Sequence, residues 1–332
     1  MQPTMRAQVL ERFGEPLVLR EVPRPQAGPG QVLVRVCASG VNPLDVKIHD
    51  GSAPHARVDV PAILGIDIAG TIEEVGPEVS GFVPGDDVFG ATGGVGALQG
   101  SLAEYAAVDA ALLAHKPASL SMREAAALAL TFITAWEGLV DRAGLRAGQT
   151  VLIHGGAGGV GNVCVQLARA LGATTFATGS AEDTDVIFSY GATPIDYRAT
   201  SPDQYVTAHT GGEGFDVIYD TVGGPVLDAS FATARLYSGH VVSALGWGSH
   251  SLAPLSFRGA TYSGVFTLIP MLTGKGRAHH GEILEQATIL AERGLLRPRL
   301  DPTIFHLETA NEAHALLRSG ATNGKLVVSI TH

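Results

Sequence analysis

Cysteine is scarce in this chain: Cys37 and Cys164 are its only two among 332 residues. Two thiols exclude a disulfide scaffold and a four-cysteine structural zinc site. Both lie in apolar, periodic stretches and are expected to be buried. Long apolar runs are missing as well. No unbroken stretch approaches the roughly 18 residues of a membrane helix, so no membrane partner is expected. Long basic runs are absent and the formal net charge is -10, which argues against nucleic acid as a partner. The opening Met1-Gln2-Pro3-Thr4-Met5-Arg6 soon reaches Glu11 and Arg12 without an apolar signal core, so a cytoplasmic location is expected. The twelve histidines show no metal-ligand spacing, and His279-His280 reads as an exposed loop pair. Ser119 and Ser121 have no ordered histidine partner, so nothing supports a Ser-His-Asp hydrolase.

What is present is apolar material and glycine. Hydrophobic types make up 45% of the chain and glycine contributes 42 residues, enough for a large core and two domains. The first part reads as β-rich. Gln31 to Ala38 alternates in character after the turn signal Ala27-Gly28-Pro29-Gly30. Ile68 to Gly76 and the turn Val83 to Gly90 add further strands, which suggests a partly closed antiparallel barrel. The texture changes near Ser121. Ser121 and Glu124 form a capping box for an Ala/Leu-rich helix from Met122 to Asp141. Beyond it, short apolar strands alternate with helices. The strands are Thr150 to His154, Thr174 to Thr178, Phe215 to Asp220, Gly239 to Leu245 and Ser263 to Leu268. That alternation means an α/β region with a doubly wound parallel sheet. Helices over Glu282 to Arg293 and Glu308 to Ser319, then a strand over Lys325 to Ile330, close the chain and return it to the first domain. The domains are expected at 1–124 with 270–332, and at 125–269.

The run Gly155-Gly156-Ala157-Gly158-Gly159-Val160-Gly161 lies between the strand Val151 to His154 and the helix Val163 to Leu171. Gly156, Gly158 and Gly161 fit the spacing G-x-G-x-x-G. The first permits a tight turn, the second a close phosphate, and the third close packing of helix on sheet. Helix N-termini offer free N–H groups and a positive dipole end to a pyrophosphate. A dinucleotide is therefore the expected cofactor. The next strand ends Ala177-Thr178-Gly179-Ser180, small and uncharged, with room for a ribose 2′-phosphate. Glu182 and Asp183 follow and would repel that phosphate. NADP is expected, with NAD as the alternative.

Several segments together resemble the medium-chain dehydrogenase/reductase superfamily, and within it the zinc-independent, zeta-crystallin-like quinone oxidoreductases. They are Gly40-Val41-Asn42-Pro43-Leu44-Asp45, Leu64-Gly65-Ile66-Asp67-Ile68-Ala69-Gly70, Val83 to Val88, His154 to Gly161 with Val165 to Ala168, Phe215 to Gly224 and Gly320 to Lys325. The resemblance runs nearly end to end. It implies a GroES-like barrel domain built from both chain ends, a Rossmann domain, an active cleft between them, and a homodimer. It also implies that no zinc is held. Zinc alcohol dehydrogenases of this superfamily carry cysteine where this chain has Asn42, and Gly-His-Glu where it has Gly65-Ile66-Asp67.

The same resemblance implies site residues. Asn42, Asp45 and Lys47 would face a small-molecule substrate, with Asn42 donating to its oxygen and Lys47 stabilising a developing enolate or bonding the nicotinamide ribose. Asn42 as a plain turn residue and Lys47 as a solvated surface lysine are the bland readings. Relatives that reduce alkenals and enones often have Lys at the Lys47 position, where many quinone reductases carry Tyr. Thr134, Gly246, Phe266, Thr267 and Lys325 would lie near the nicotinamide half. Gly156 to Gly161, with Ala157, Gly159 and Val160 among them, would hold the pyrophosphate. Gly179, Ser180 and Tyr197 would meet the adenine ribose. Phe132 stands where the family usually has Gly and would narrow the substrate space. Without a metal, a plain carbonyl loses its Lewis-acid activation, so the expected acceptor is already electron-poor: a quinone or an α,β-unsaturated carbonyl. The alternatives are an enoyl or alkenal reductase acting on a larger thioester, and a non-catalytic NADPH-binding crystallin-like protein.

Overall fold

The computed structural model describes residues 3–330. The chain divides into two compact units, Met1–Leu130 with Leu268–His332, and Thr131–Thr267.

The first unit is built from largely antiparallel sheets, with one parallel pair, Phe305–His306 beside Val327–Ser329. Val18–Pro23, Thr4–Leu10 and Ala62–Ile63 form a three-stranded sheet in that order. A seven-stranded sheet is centred on Gln31–Gly40, which pairs with Asp67–Val75 and with Tyr105–Asp109. Irregularities in the Gln31–Gly40 pairing at Leu33/Val34 and Val36/Ala38 bend this strand, as bulges do in sheets that curl. Val327–Ser329 lies antiparallel to the end of the same strand, with Val327 opposite Gly40. That pairing brings Lys325 beside Asn42. The helix α1 (Pro43–His49) follows directly, started by a proline in its first turn.

The second unit carries a six-stranded parallel sheet. Its order is Thr193–Asp196, Thr174–Gly179, Thr150–Ile153, Val217–Asp220, His240–Ser243, Thr261–Gly264. The order runs outward in both directions from Thr150–Ile153, and the crevice of a doubly wound sheet opens at such a reversal. Leu152, Phe176, Phe215, Ile218, Phe231 and Val241 form its buried core. The helix α2 (Met122–Trp136) starts at the expected capping box: Ser121 N–H and Oγ meet Glu124 Oε2 at 2.9 and 2.8 Å.

Several expectations need correction. The Ala/Leu-rich helix is not uniform to Asp141: it changes at Glu137–Arg142 to a π-turn. His279 and His280 are not an exposed loop pair. They lie in the helix Arg277–Glu292, which starts earlier than Glu282, and His280 is buried. Of the two thiols only Cys164 is buried; Cys37 is partly exposed. Phe215 lies outside the strand Val217–Asp220, because its backbone bonds Thr233 and Arg235 instead. Val265 to Leu268 is not strand, since the chain turns there into the helix Ile269–Thr273 with Pro270 in its first turn.

Candidate functional site

The candidate residues fall into two groups, one in each unit. In the first unit the strand end at Gly40 and the start of α1 bring Asn42 and Asp45 together. Asn42 precedes Pro43 in extended backbone, and its N–H donates to Asp45 Oδ2 at 2.8 Å. Asn42 Nδ2 donates to Asp67 Oδ2 at 2.9 Å. Lys325 Nζ donates to Asn42 Oδ1 and lies 3.2 Å from Asp67 Oδ2. Asp67 Oδ1 accepts the Leu130 N–H at 2.8 Å. All four side chains are buried, Asp67 completely. A buried carboxylate survives only with a paired charge and filled acceptor sites, which Lys325, Asn42 and Leu130 provide. A second layer backs Asp67: Ser101 Oγ donates to its carbonyl at 2.6 Å, and Ser39 Oγ lies 2.7 Å from Ser101 Oγ.

Asp45 differs from Asp67. Its Oδ1 is buried with no hydrogen-bond partner. Burial pushes its carboxyl up to about 7, the Asn42 N–H works against that rise, and Asp67 adds to it. Lys47 does not join this cluster; it stands exposed on α1. Lys325, expected near the nicotinamide, has its ammonium held by Asn42 and Asp67. Asp67 itself was missed. The signal for it was a carboxylate inside an otherwise apolar strand start, Leu64-Gly65-Ile66-Asp67-Ile68-Ala69.

In the second unit the glycine run forms the turn from Thr150–Ile153 into α3 (Gly159–Ala170). The residue that needs a left-handed conformation is Gly155, at φ 70°, one place before the glycine to which the spacing gave that task. A Cβ on Gly161 would overlap the Gly155 carbonyl, so the last glycine does permit close packing. Around Gly159 there is open space apart from Thr131 Cγ2 at 3.9 Å. Gly158 caps α3 without a side-chain bond, and the first-turn N–H groups of Gly159, Val160 and Gly161 have no acceptor within the helix. Ala157 completes the turn. This cradle fits a pyrophosphate: bare amides, a dipole end and no side chain in the way.

At the end of the neighbouring strand the Ser180 hydroxyl does not stand free. Its Oγ donates to Asp183 Oδ2 at 2.7 Å, and its N–H to the same oxygen at 2.9 Å. Gly179 O accepts the Tyr197 N–H at 3.2 Å. Tyr197 is exposed, with the Arg198 guanidinium 5.6 Å from its ring centre. Arg198 was not singled out from sequence.

Thr134 is buried near the end of α2. Tyr219 Oη donates to the Thr134 carbonyl at 2.6 Å. The π-turn begins three residues later, and such a turn removes the regular i+4 donor from carbonyls near its start. A Cβ on Gly138 would overlap the Tyr219 ring, so glycine there makes room for this bond. Thr267 is buried, Gly246 is half-buried, and Phe266 meets Trp247 edge to face at 6.0 Å. Phe132 packs on Trp136, with ring centres 5.9 Å apart.

Zinc does not suit the donor set at Asn42 and Ile66. The amide is occupied on both sides, one neighbour is an ammonium, and Ile66 is a buried aliphatic chain. Among the described residues no group of three or more His, Cys, Asp or Glu could hold a metal ion. No helix among them is long and apolar enough to cross a membrane.

Comparison with known proteins defines the class. Residues 28–118 match the alcohol dehydrogenase GroES-like domain, and residues 190–328 match a family described as zinc-binding dehydrogenase. The chain is 34% identical to the 2-methylene-furan-3-one reductase of Solanum lycopersicum, over 90% of this chain and 71% of that one. It is 37% identical to the spectinabilin polyketide synthase system protein NorB of Streptomyces orinoci, over 95% of this chain but only 14% of that protein's length. An alcohol dehydrogenase superfamily protein from Novosphingobium aromaticivorans superposes with a TM-score of 0.96 at 56% identity, covering 99% of this chain and all of that one. This chain belongs to the medium-chain dehydrogenase/reductase, or alcohol dehydrogenase, superfamily of oxidoreductases.

Proposed function

We propose that this chain transfers hydride from NADPH to an electron-poor conjugated acceptor, a quinone or an α,β-unsaturated ketone or aldehyde, without catalytic zinc. The observation that carries this reading is the closed Asn42–Asp67–Lys325 network, which ties up the Asn42 amide at a position where the resemblance gives zinc dehydrogenases a ligand. A simple carbonyl would find no Lewis acid there, whereas a conjugated acceptor is activated by its own structure. The name of the tomato relative, an enone reductase, supports the same acceptor class.

The residues take these roles. The amides at the start of α3 bind the pyrophosphate. The bound nicotinamide supplies the hydride. Asn42, held rigid by Asp67 and Lys325, keeps one Nδ2–H beyond the Asp67 bond to offer a substrate oxygen. Lys47 on α1 offers a positive charge to the developing enolate. Asp45 holds a proton at Oδ1, since Oδ2 already accepts the Asn42 N–H. One hydride and one proton are thereby added to the acceptor.

NADPH is preferred over NADH in this reading. Arg198 beside Tyr197 offers a cation to a 2′-phosphate, while Asp183 is held by Ser180. Steady-state NADPH oxidation with 1,2-naphthoquinone and with a simple enone tests the proposal. Turnover with either supports it, and tight NADPH binding without turnover of either overturns it. The likeness to a polyketide synthase system protein and to the solved CurK enoyl reductase, at 27% identity, favours one second reading, an enoyl reductase acting on a thioester. Faster turnover of a crotonyl thioester than of the free enone would select that reading.

A further inference from the structure

The glycine turn is held from behind by a chain of polar side chains. His154, the last residue before Gly155, is buried. Ser230 Oγ donates to the Val226 carbonyl at 2.8 Å, so toward His154 Nε2, 3.1 Å away, it acts as acceptor. His154 therefore carries its proton on Nε2, and Nδ1 is an acceptor. Thr178 Oγ1 lies 3.2 Å from Nδ1 and donates to it. The same Thr178 oxygen accepts the Gly155 N–H at 3.2 Å, and the Thr178 carbonyl accepts the Gly156 N–H at 2.8 Å. Thr221 Oγ1 donates to the His154 carbonyl at 2.6 Å.

We infer that His154 is a positioning residue for the cofactor: its neutral, Nε2-protonated ring orients the Thr178 hydroxyl so that Thr178 fixes the Gly155 amide and sets the glycine turn for the pyrophosphate. This rests on the cofactor reading above. The inference follows from direction, not mere contact. A threonine hydroxyl has one proton, and without an acceptor at Nδ1 it has no reason to keep its lone pair toward Gly155. Burial pushes His154 down to about 4 against the opposing pull of Asp220, which keeps the ring neutral. A protonated ring would need to donate from Nδ1 and would turn the Thr178 hydroxyl away.

Three variants test this. His154→Phe removes both ring nitrogens. His154→Asn keeps an acceptor near the Nδ1 place. Thr178→Val removes only the hydroxyl. His154→Phe and Thr178→Val are expected to raise the NADPH dissociation constant about tenfold, the scale of one well-placed hydrogen bond. The KM for NADPH should rise with it, while kcat stays within about twofold. His154→Asn should restore most of the affinity, and the double variant His154→Phe/Thr178→Val should bind no worse than Thr178→Val alone. Wild-type affinity in folded His154→Phe overturns the inference, as do additive losses in the double variant. If His154→Phe does not fold, Thr178→Val decides: unchanged affinity overturns the inference. A wild-type protein that binds neither NADPH nor NADH overturns the cofactor reading itself.

Discussion

The two candidate groups of residues are built from different materials. The cluster in the first unit is made of charged and amide side chains, and it joins Asn42 to Lys325 across 283 positions of sequence. The cradle in the second unit is made of backbone, and it lies within seven consecutive residues, Gly155 to Gly161. One depends on pairing charges out of water, the other on leaving out side chains. They should therefore fail in different ways.

The largest effect is expected where a buried charge loses its partner. Lys325→Met leaves Asp67 fully buried and unpaired, at a cost of about 3–5 kcal/mol in a urea melt. The double variant Lys325→Met/Asp67→Asn should recover much of that loss. Failure to recover would mean that Lys325 acts through packing and not through charge. Next, Gly161→Ala places a methyl against the Gly155 carbonyl. Stability should fall by about 1–3 kcal/mol, the usual cost of overpacking, and NADPH affinity should fall with it. Gly158→Ala, whose Cβ meets only the Gly155 carbonyl oxygen at 3.2 Å, should disturb folding less than Gly161→Ala. Equal losses would break the distinction between the packing glycine and the open one. Smaller still is Tyr219→Phe, which removes the hydrogen bond to the Thr134 carbonyl and should cost about 0.5–1.5 kcal/mol, read by thermal or denaturant unfolding.

That contrast also explains what the sequence made legible. The cradle could be read because its parts are contiguous and its geometry follows from glycine spacing, though the positive φ sits at Gly155 and not at Gly156. The parallel sheet was legible for the same reason, with each strand a short apolar run. The cluster was legible only in pieces. Asn42 and Asp45 share one turn of chain, but Asp67 and Lys325 reach them only through pairing of Gly40 with Asp67 and with Val327. The helix Arg277–Glu292 was misread at its start because its N-cap is Gly276, with no Ser, Thr, Asp or Asn to mark it. The π-turn at Glu137–Arg142 has no signal in apolar spacing. Within it Gly138 leaves room for the Tyr219 ring, a long-range contact that local spacing does not encode.

Titration gives the smallest and most diffuse test. In the first unit His314 Nδ1 lies 2.9 Å from His49 Nδ1, and burial lowers both, His314 to about 3. The unfolded chain then binds more protons than the folded one as pH falls from about 6.5 toward 3, so stability is lost over that window. His154 adds the same sign toward about 4. Asp45 has the opposite sign. Its carboxyl is raised to about 7, so its contribution is lost as pH rises through 7. The Asp45 loss runs from about pH 4 to about 7, so it opposes the histidine effect over that window, and Asp45→Asn should steepen the fall in melting temperature on acidification while leaving pH 8 to 9 unchanged. A flattened acid side in that variant would show that the two sets of groups are not independent.

The central claim is hydride transfer without a metal, and one measurement tests it most directly. Enone-dependent NADPH oxidation and zinc content are measured on one sample before and after exhaustive dialysis against a strong chelator. The account predicts unchanged kcat and KM with zinc far below one per chain. About one zinc per chain, lost together with activity and restored with it on adding zinc back, would contradict the account.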